Sequence, residues 1–139
     1  MAKTTNDLLE TLKTADSLDT YLNDNENELV NLDVPAALQQ LLEETGLTKA
    51  EALHRAEIND IYGYQLFAGS RKPSRDKLLS LAIGMGASAE RIQALLKSTG
   101  FAPLYAKNRR DSILLYGIRH GQTVMQLNTA LYDHGEPTL

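Results

Sequence analysis

The chain contains no cysteine. Disulfides and thiolate metal sites are therefore excluded, and the redox compartment is left open. No apolar run approaches the roughly 20 residues of a membrane span, and residues 1–20 lack the apolar core of a secretory signal. The expected location is accordingly the cytoplasm, with no membrane partner. No segment shows sustained period-two alternation of apolar and polar residues, which removes half-buried strands and leaves an all-α chain. His54, His120 and His134 lack metal-ligand spacing such as HExxH. The carboxyl pairs Glu26/Glu28, Glu43/Glu44 and Asp133/Glu136 stand in polar or helix-end contexts with no nucleophile or base beside them. No enzyme is expected here, and no cofactor or metal.

What the chain does contain is ordinary in amount and uneven in placement. Its 139 residues suit one domain, or one domain with an ordered extension. The 42% hydrophobic and 23% charged content is that of a soluble globular protein. The net charge of −4 is split sharply by region. Residues 1–45 hold two lysines against ten acids, a balance of −8, while residues 46–139 hold twelve Lys and Arg against eight acids, a balance of +4. That asymmetry describes an acidic appendage on a mildly basic body.

Helix signals recur along the whole chain. Leu8, Leu9, Leu12 and Ala15 fall at helical spacing, with Asn6 or Asp7 as the expected N-cap. A short piece, residues 17–22, precedes the polar run of residues 23–28, which reads as a loop or a cap. Asp33-Val34-Pro35 is a helix start, because proline in the first turn loses no hydrogen bond. Gly46 is its expected left-handed end. Thr48-x-x-Glu51 is a capping box opening the next helix. Ile58 should be buried in a turn, with Asn59 capping the helix 60–68 and Gly69 ending it.

Ser74 then caps a helix bearing Leu78, Leu79, Leu81, Ala82 and Ile83, closed by Gly84 and Gly86. Ser88 opens another, ended by Gly100. Pro103 disfavours helix at Ala102, so residues 101–105 form an apolar connection. A helix from about Asn108 to His120 should turn Ile113, Leu114, Tyr116 and Gly117 inward. Thr123-x-x-Gln126, a second capping box, opens a last helix running to Gly135, and Pro137 should end ordered structure. Tyr105, Tyr116 and Tyr132 read as core.

Between Gly46 and Ser88 the pattern resembles the helix-turn-helix family of lambda repressor and Cro, often called the Xre family. The matching residues are Gly46-Leu47-Thr48, Glu51-Ala52, Ile58-Asn59, Leu66, Gly69-x-Arg71-x-Pro73-Ser74, Leu78-Leu79-x-Leu81-Ala82 and Gly86-Ala87-Ser88. They keep register across 43 residues without insertion. Residues 100–105 and 108–111 more loosely resemble an extension found on some bacterial members. The resemblance implies a five-helix core with extra helices at both termini. It divides the chain into an acidic helical segment at 1–32, a DNA-binding domain at 33–100 and a helical extension at 101–139.

The resemblance also implies a sequence-specific transcriptional regulator, expected to be a repressor, that reads double-stranded DNA without a cofactor. In such motifs the second helix enters the major groove. Gly63 and Leu66 would then face inward, while Asp60, Ile61, Tyr64 and Gln65 face the bases. Gln65 suits adenine, and Ile61 and Tyr64 suit a thymine methyl. Lys49, Asn59, Arg71, Lys72, Arg75 and Lys77 are the expected phosphate contacts. Arg109 and Arg110 read instead as capping or solvating a C-terminal helix.

Three residues depart from the family's pattern. Glu57 replaces the usual turn glycine, and Asp60 puts an acid where phosphates come close. Gly63 stands where a larger apolar residue is common, with Tyr62 expected to fill the space. Residues 101–139 would either pad the core or pair two copies. The acidic N-terminal segment could hold a protein partner, or fold over the basic face and inhibit it. The competing reading is a protein-interaction module that keeps the scaffold without strong DNA binding.

Overall fold

A computed structural model describes residues 3–24 and 33–139. Among the described residues there are nine α-helices and no strand. The chain divides between residues 30 and 31 into two compact units.

The smaller unit holds α1 (Thr5–Thr14) and α2 (Leu18–Asp24). The cap of α1 is Thr4 rather than Asn6 or Asp7. Thr4 Oγ1 accepts from the Asp7 N–H, and Asp7 returns the bond to the Thr4 N–H, both at 3.1 Å. Asp7 is thus the third residue of a capping box, a role its charge also suits at a helix N-terminus. No residue of α1 is buried. The polar run expected at 23–28 lies, from residue 25 on, outside the described residues.

The larger unit runs from α3 (Val34–Thr45) through α4 (Lys49–Arg55), α5 (Asp60–Ala68), α6 (Arg75–Gly84) and α7 (Ala89–Ser98) to α8 (Arg109–Arg119) and α9 (Val124–Asp133). Its caps are the ones the sequence signals. Asp33 accepts from the Ala36 N–H ahead of Pro35, and Thr48/Glu51 and Thr123/Gln126 form reciprocal boxes. One joint recurs: Gly46 and Gly121, at φ 73° and 68°, each end a helix, and a threonine two residues later caps the next one. The left-handed residue turns the chain without a Cβ clash, so consecutive helices pack as close neighbours.

α3 packs on α5, α4 on α5 and α6, and α6 on α7. Leu38, Leu53, Leu66, Leu78, Leu79 and Leu95 fill the space between them. The same apolar cluster continues through Leu104, Leu114, Val124, Leu127 and Leu131. The C-terminal helices therefore share one apolar core with residues 33–100. α8 and α9 pair with each other, α6 packs on α9 and α7 on α8. Residues 101–105 are non-helical, and the Gln93 side-chain amide fixes them: Nε2 donates to the Leu104 carbonyl at 2.8 Å, and Oε1 accepts the Leu104 N–H at 2.7 Å.

Three expectations change. Tyr105, Tyr116 and Tyr132 are exposed rather than core; Tyr116 instead stacks on the His120 ring, centroids 4.0 Å apart. The residues beyond Pro137 are tied down, with the Arg110 guanidinium donating to the Pro137 and Thr138 carbonyls and the Leu139 N–H donating to Asn128. Gly84 is the last residue of α6, where the sequence places the end of the helix. A Cβ there would come 2.7 Å from the Ala56 nitrogen, so glycine is what lets α6 cross the end of α4. At Gly63 the vacant volume is filled by Leu53, whose side chain a Cβ would overlap, and not by Tyr62.

Candidate nucleic-acid interface

α4, the turn 56–59 and α5 form a two-helix unit. The turn closes through Glu57, at φ 58° the sole non-glycine with positive φ among the described residues. The Glu57 N–H donates to the His54 carbonyl at 3.1 Å, and the Ile58 N–H reaches back to the Leu53 carbonyl at 3.0 Å. This is the left-handed helix-ending geometry in which glycine is the usual residue. Glutamate adopts the same geometry here, at the cost of the left-handed conformation. Ile58 is buried beneath it. Asn59 Oδ1 accepts from the N–H groups of both Ile61 and Tyr62, at 2.9 and 3.3 Å, so the cap fixes where α5 begins.

α5 is apolar on both faces. Gly63, Leu66 and Phe67 are buried, while Ile61 is 74% exposed and Tyr64 is exposed beside it. Gln65 lies half-buried on the same side. Asp60, in the first turn, is exposed and forms the rim of a cleft beside Glu57. Of the four residues expected to read bases, Ile61, Tyr64 and Gln65 make one outward stripe. Asp60 stands at its edge.

The expected phosphate contacts separate into two groups. Arg71 and Lys72 are exposed on the loop after α5, whose path is held by the Arg71 N–H donating to the Gln65 carbonyl. Lys77 is half-buried in the first turn of α6, which Ser74 caps. No ion pair is formed by these three among the described residues. Lys49 sits with its ammonium 5.5 Å from the centroid of the Phe67 ring, a cation–π contact. The Asn59 amide keeps its Nδ2 hydrogens after Oδ1 has been used for capping.

Arg75 differs from the rest. Its Nη1 and Nη2 bind both oxygens of Asp111 at 3.1 and 3.0 Å, and Nε and Nη2 also donate to the Ala102 and Pro103 carbonyls. Its guanidinium hydrogens are engaged by the C-terminal extension. Of the expected phosphate contacts, Arg75 alone is held in an ion pair among the described residues of the free chain.

Asp111 was given no role from the sequence beyond its place in the stretch 108–111. Burial raises its pKa, but the Arg75 bond, the Tyr105 N–H and the charges of Arg75 and Arg110 outweigh that and hold the carboxyl below its usual range. Its neighbour Arg110 forks onto Asp76 at 2.9 and 3.0 Å. Two Arg-Asp dipeptides, 75–76 and 110–111, thus clasp each other in crossed pairs. The repeated dipeptide is too short a signal to be read alone.

Among the described residues no group of His, Asp or Glu is placed to hold a metal ion, and no helix is long and apolar enough to cross a membrane. Compared with protein-family models, curated proteins and solved structures, the chain matches none.

Proposed function

We propose that the protein is a sequence-specific double-stranded DNA-binding regulator that reads the major groove with α5. The observation that carries this reading is the outer face of α5. Ile61 is held 74% exposed on a short, firmly capped helix, with Tyr64 and Gln65 beside it and the unpaired cations Arg71, Lys72 and Lys77 next in the chain. An exposed apolar helix face flanked by free cations suits a surface of base edges between phosphates. By contrast Arg75, Arg91, Arg109, Arg110 and Arg119 are all spent in ion pairs. The resemblance of residues 46–88 to the lambda-repressor family supports the same reading, as does the +4 balance of residues 46–139. Two copies on two half-sites would be the working form, with repression by occupancy.

The test is selection of duplexes from a randomised library by the whole chain, followed by titration of an enriched duplex over a range of salt. Log affinity should fall linearly with log salt. Failure to bind any duplex at low salt would refute the reading. The competing reading, a protein-docking module on the same scaffold, is favoured by the carboxylates of Asp60 and Glu57 at the edge of the stripe. It predicts that very failure, together with capture of a partner that Ile61→Ala abolishes.

A further inference from the structure

We infer that the C-terminal extension is part of the DNA-binding surface, with Lys107 taking a backbone phosphate beside those met by Arg71, Lys72 and Lys77. This contact depends on the DNA-binding reading above and lies outside residues 46–88, the stretch on which that reading was built. The crossed ion pairs supply the placement. Arg75 and Asp76 stand in the first turn of α6, Arg110 and Asp111 in the first turn of α8, and the two pairs hold those turns side by side. The turn of α6 that carries Lys77 therefore has the start of α8 as a fixed neighbour.

Charge decides what such a neighbour can do. Residues 71–77 hold four bases against one acid, and residues 105–111 hold three against one, in a chain whose net charge is −4. The clasp sets Arg75 and Arg110 against the two acids. Arg109 is taken by Glu136 and the His134 carbonyl at 2.8 and 2.7 Å, and Arg119 by Glu90. Of the cations in residues 101–139, Lys107 is the one in no ion pair among the described residues. It joins Arg71, Lys72 and Lys77 as a fourth uncompensated charge, on two segments that the clasp binds together. Duplex DNA is the partner that such a set fits, because its phosphates repeat along each strand and cations on separate segments can each neutralise one.

The backbone of Lys107 is also fixed in advance. The Tyr105 N–H donates to the same Asp111 oxygen that Arg75 Nη2 binds, both at 3.0 Å. The Asn108 N–H closes a turn onto the Tyr105 carbonyl at 2.9 Å, and the Ser112 hydroxyl donates to the Ala106 and Asn108 carbonyls. Lys107 is the third residue of that four-residue turn, and it is exposed. Two residues of chain reach at most about 7 Å, so Lys107 stays close to the Arg75–Asp111 pair. A phosphate has only the lysine side chain left to order, which keeps the cost of the contact small.

The test uses the full chain and a duplex that it has enriched. Lys107→Ala should bind that duplex about tenfold more weakly at 0.1 M salt, with the slope of log affinity against log salt lowered by about one. Lys107→Arg should restore the slope, and both variants should melt as the native chain does, because the side chain is exposed. Lys72→Ala combined with Lys107→Ala should lower the slope by about two, as separate phosphates require. Ethylation of the duplex phosphates should reveal one whose modification weakens the native chain and leaves Lys107→Ala indifferent. Affinity and slope unchanged in Lys107→Ala would overturn the inference and leave the DNA reading standing. So would a loss of affinity with no such phosphate, which marks a general effect of charge. A chain that binds no duplex overturns the DNA reading and this contact with it.

Discussion

Arg75 and Asp111 lie 36 residues apart and form a two-pronged ion pair, with side chains 24% and 9% exposed. The pair ties the first turn of α6 to the first turn of α8, and Arg110 with Asp76 ties the same turns in the opposite sense. Each carboxylate is also the acid in the first turn of its helix, so it serves the local helix end and the distant guanidinium together. Removing one partner leaves the other charge in a poorly hydrated place. Asp111→Ala should therefore cost about 3 kcal/mol of unfolding free energy. Arg75→Ala in the Asp111→Ala background should cost much less than Arg75→Ala alone. A double-mutant cycle by urea denaturation measures this, and an additive cycle would contradict the clasp.

The same carboxyl gives a pH dependence with a definite sign. Its pKa in the folded chain lies below the ordinary 3.8. The folded state therefore binds the proton less readily than the unfolded chain does. Stability from this group is complete above the unfolded value and is lost as pH falls through the folded one. The stability difference between the native chain and Asp111→Asn should be constant near neutrality and shrink below about pH 3.8. Urea midpoints measured from neutral to acid pH check it; a difference that widens on acidification would refute the assignment.

What could be read from sequence is what is decided within three or four residues. Thr48 with Glu51, Thr123 with Gln126, Asn59 and Gly46 each announce a helix end by local chemistry, and α3, α4, α5 and α9 begin or end at them. The all-α class follows from those ends and the spacing between them. The outward residues Ile61 and Tyr64 were also legible, because a fixed helix start sets which positions face away. The failures are long-range. Nothing near Arg75 says that Asp111 will take it from the surface, and nothing near Tyr132 says that Val124, Leu127 and Leu131 suffice to bury α9 without it. Gly84 does end a helix, but nothing near it says that Ala56, 28 positions earlier, leaves no room there for a side chain.

That close approach makes Gly84→Ala informative. The added Cβ would meet backbone atoms of Ala56 at 2.7 and 3.0 Å, and a backbone held by the α4 cap has little room to retreat. Helix propensity alone would make the substitution stabilising by nearly 1 kcal/mol. Overpacking should reverse the sign, giving a net loss of about 1–3 kcal/mol. A rise in melting temperature would mean that the crossing is looser than it stands here.

Glu57 tests the opposite case. At φ 58° it occupies a conformation costing an L-residue about 1–2 kcal/mol, in a position where glycine would sit without strain. Glu57→Gly should stabilise the fold by about 0.5–1 kcal/mol, the relief being reduced by the greater freedom of glycine in the unfolded chain. Glu57→Ala removes the same carboxylate without relieving the backbone. Thermal unfolding of both separates geometry from charge: if they shift alike, the strain is not what matters.

Arg71 and Arg75 are four residues apart and chemically identical, yet they should behave oppositely in DNA binding. Arg71 is exposed and without an ion pair, whereas Arg75 is fully engaged by Asp111 and the Ala102 and Pro103 carbonyls. In the DNA-binding reading, Arg71→Ala should weaken all duplexes alike and lower the slope of log affinity against log salt by about one. Its melting temperature should be unchanged, since the side chain packs on nothing. Arg75→Ala should lower the melting temperature and leave the salt slope of the remaining folded protein as it was. Gln65→Ala forms the third arm, costing about 1–3 kcal/mol on a preferred duplex and little on others. If Arg75→Ala changed the slope by as much as Arg71→Ala, the guanidinium would have to leave Asp111 on DNA, and the clasp would be a feature of the free protein alone.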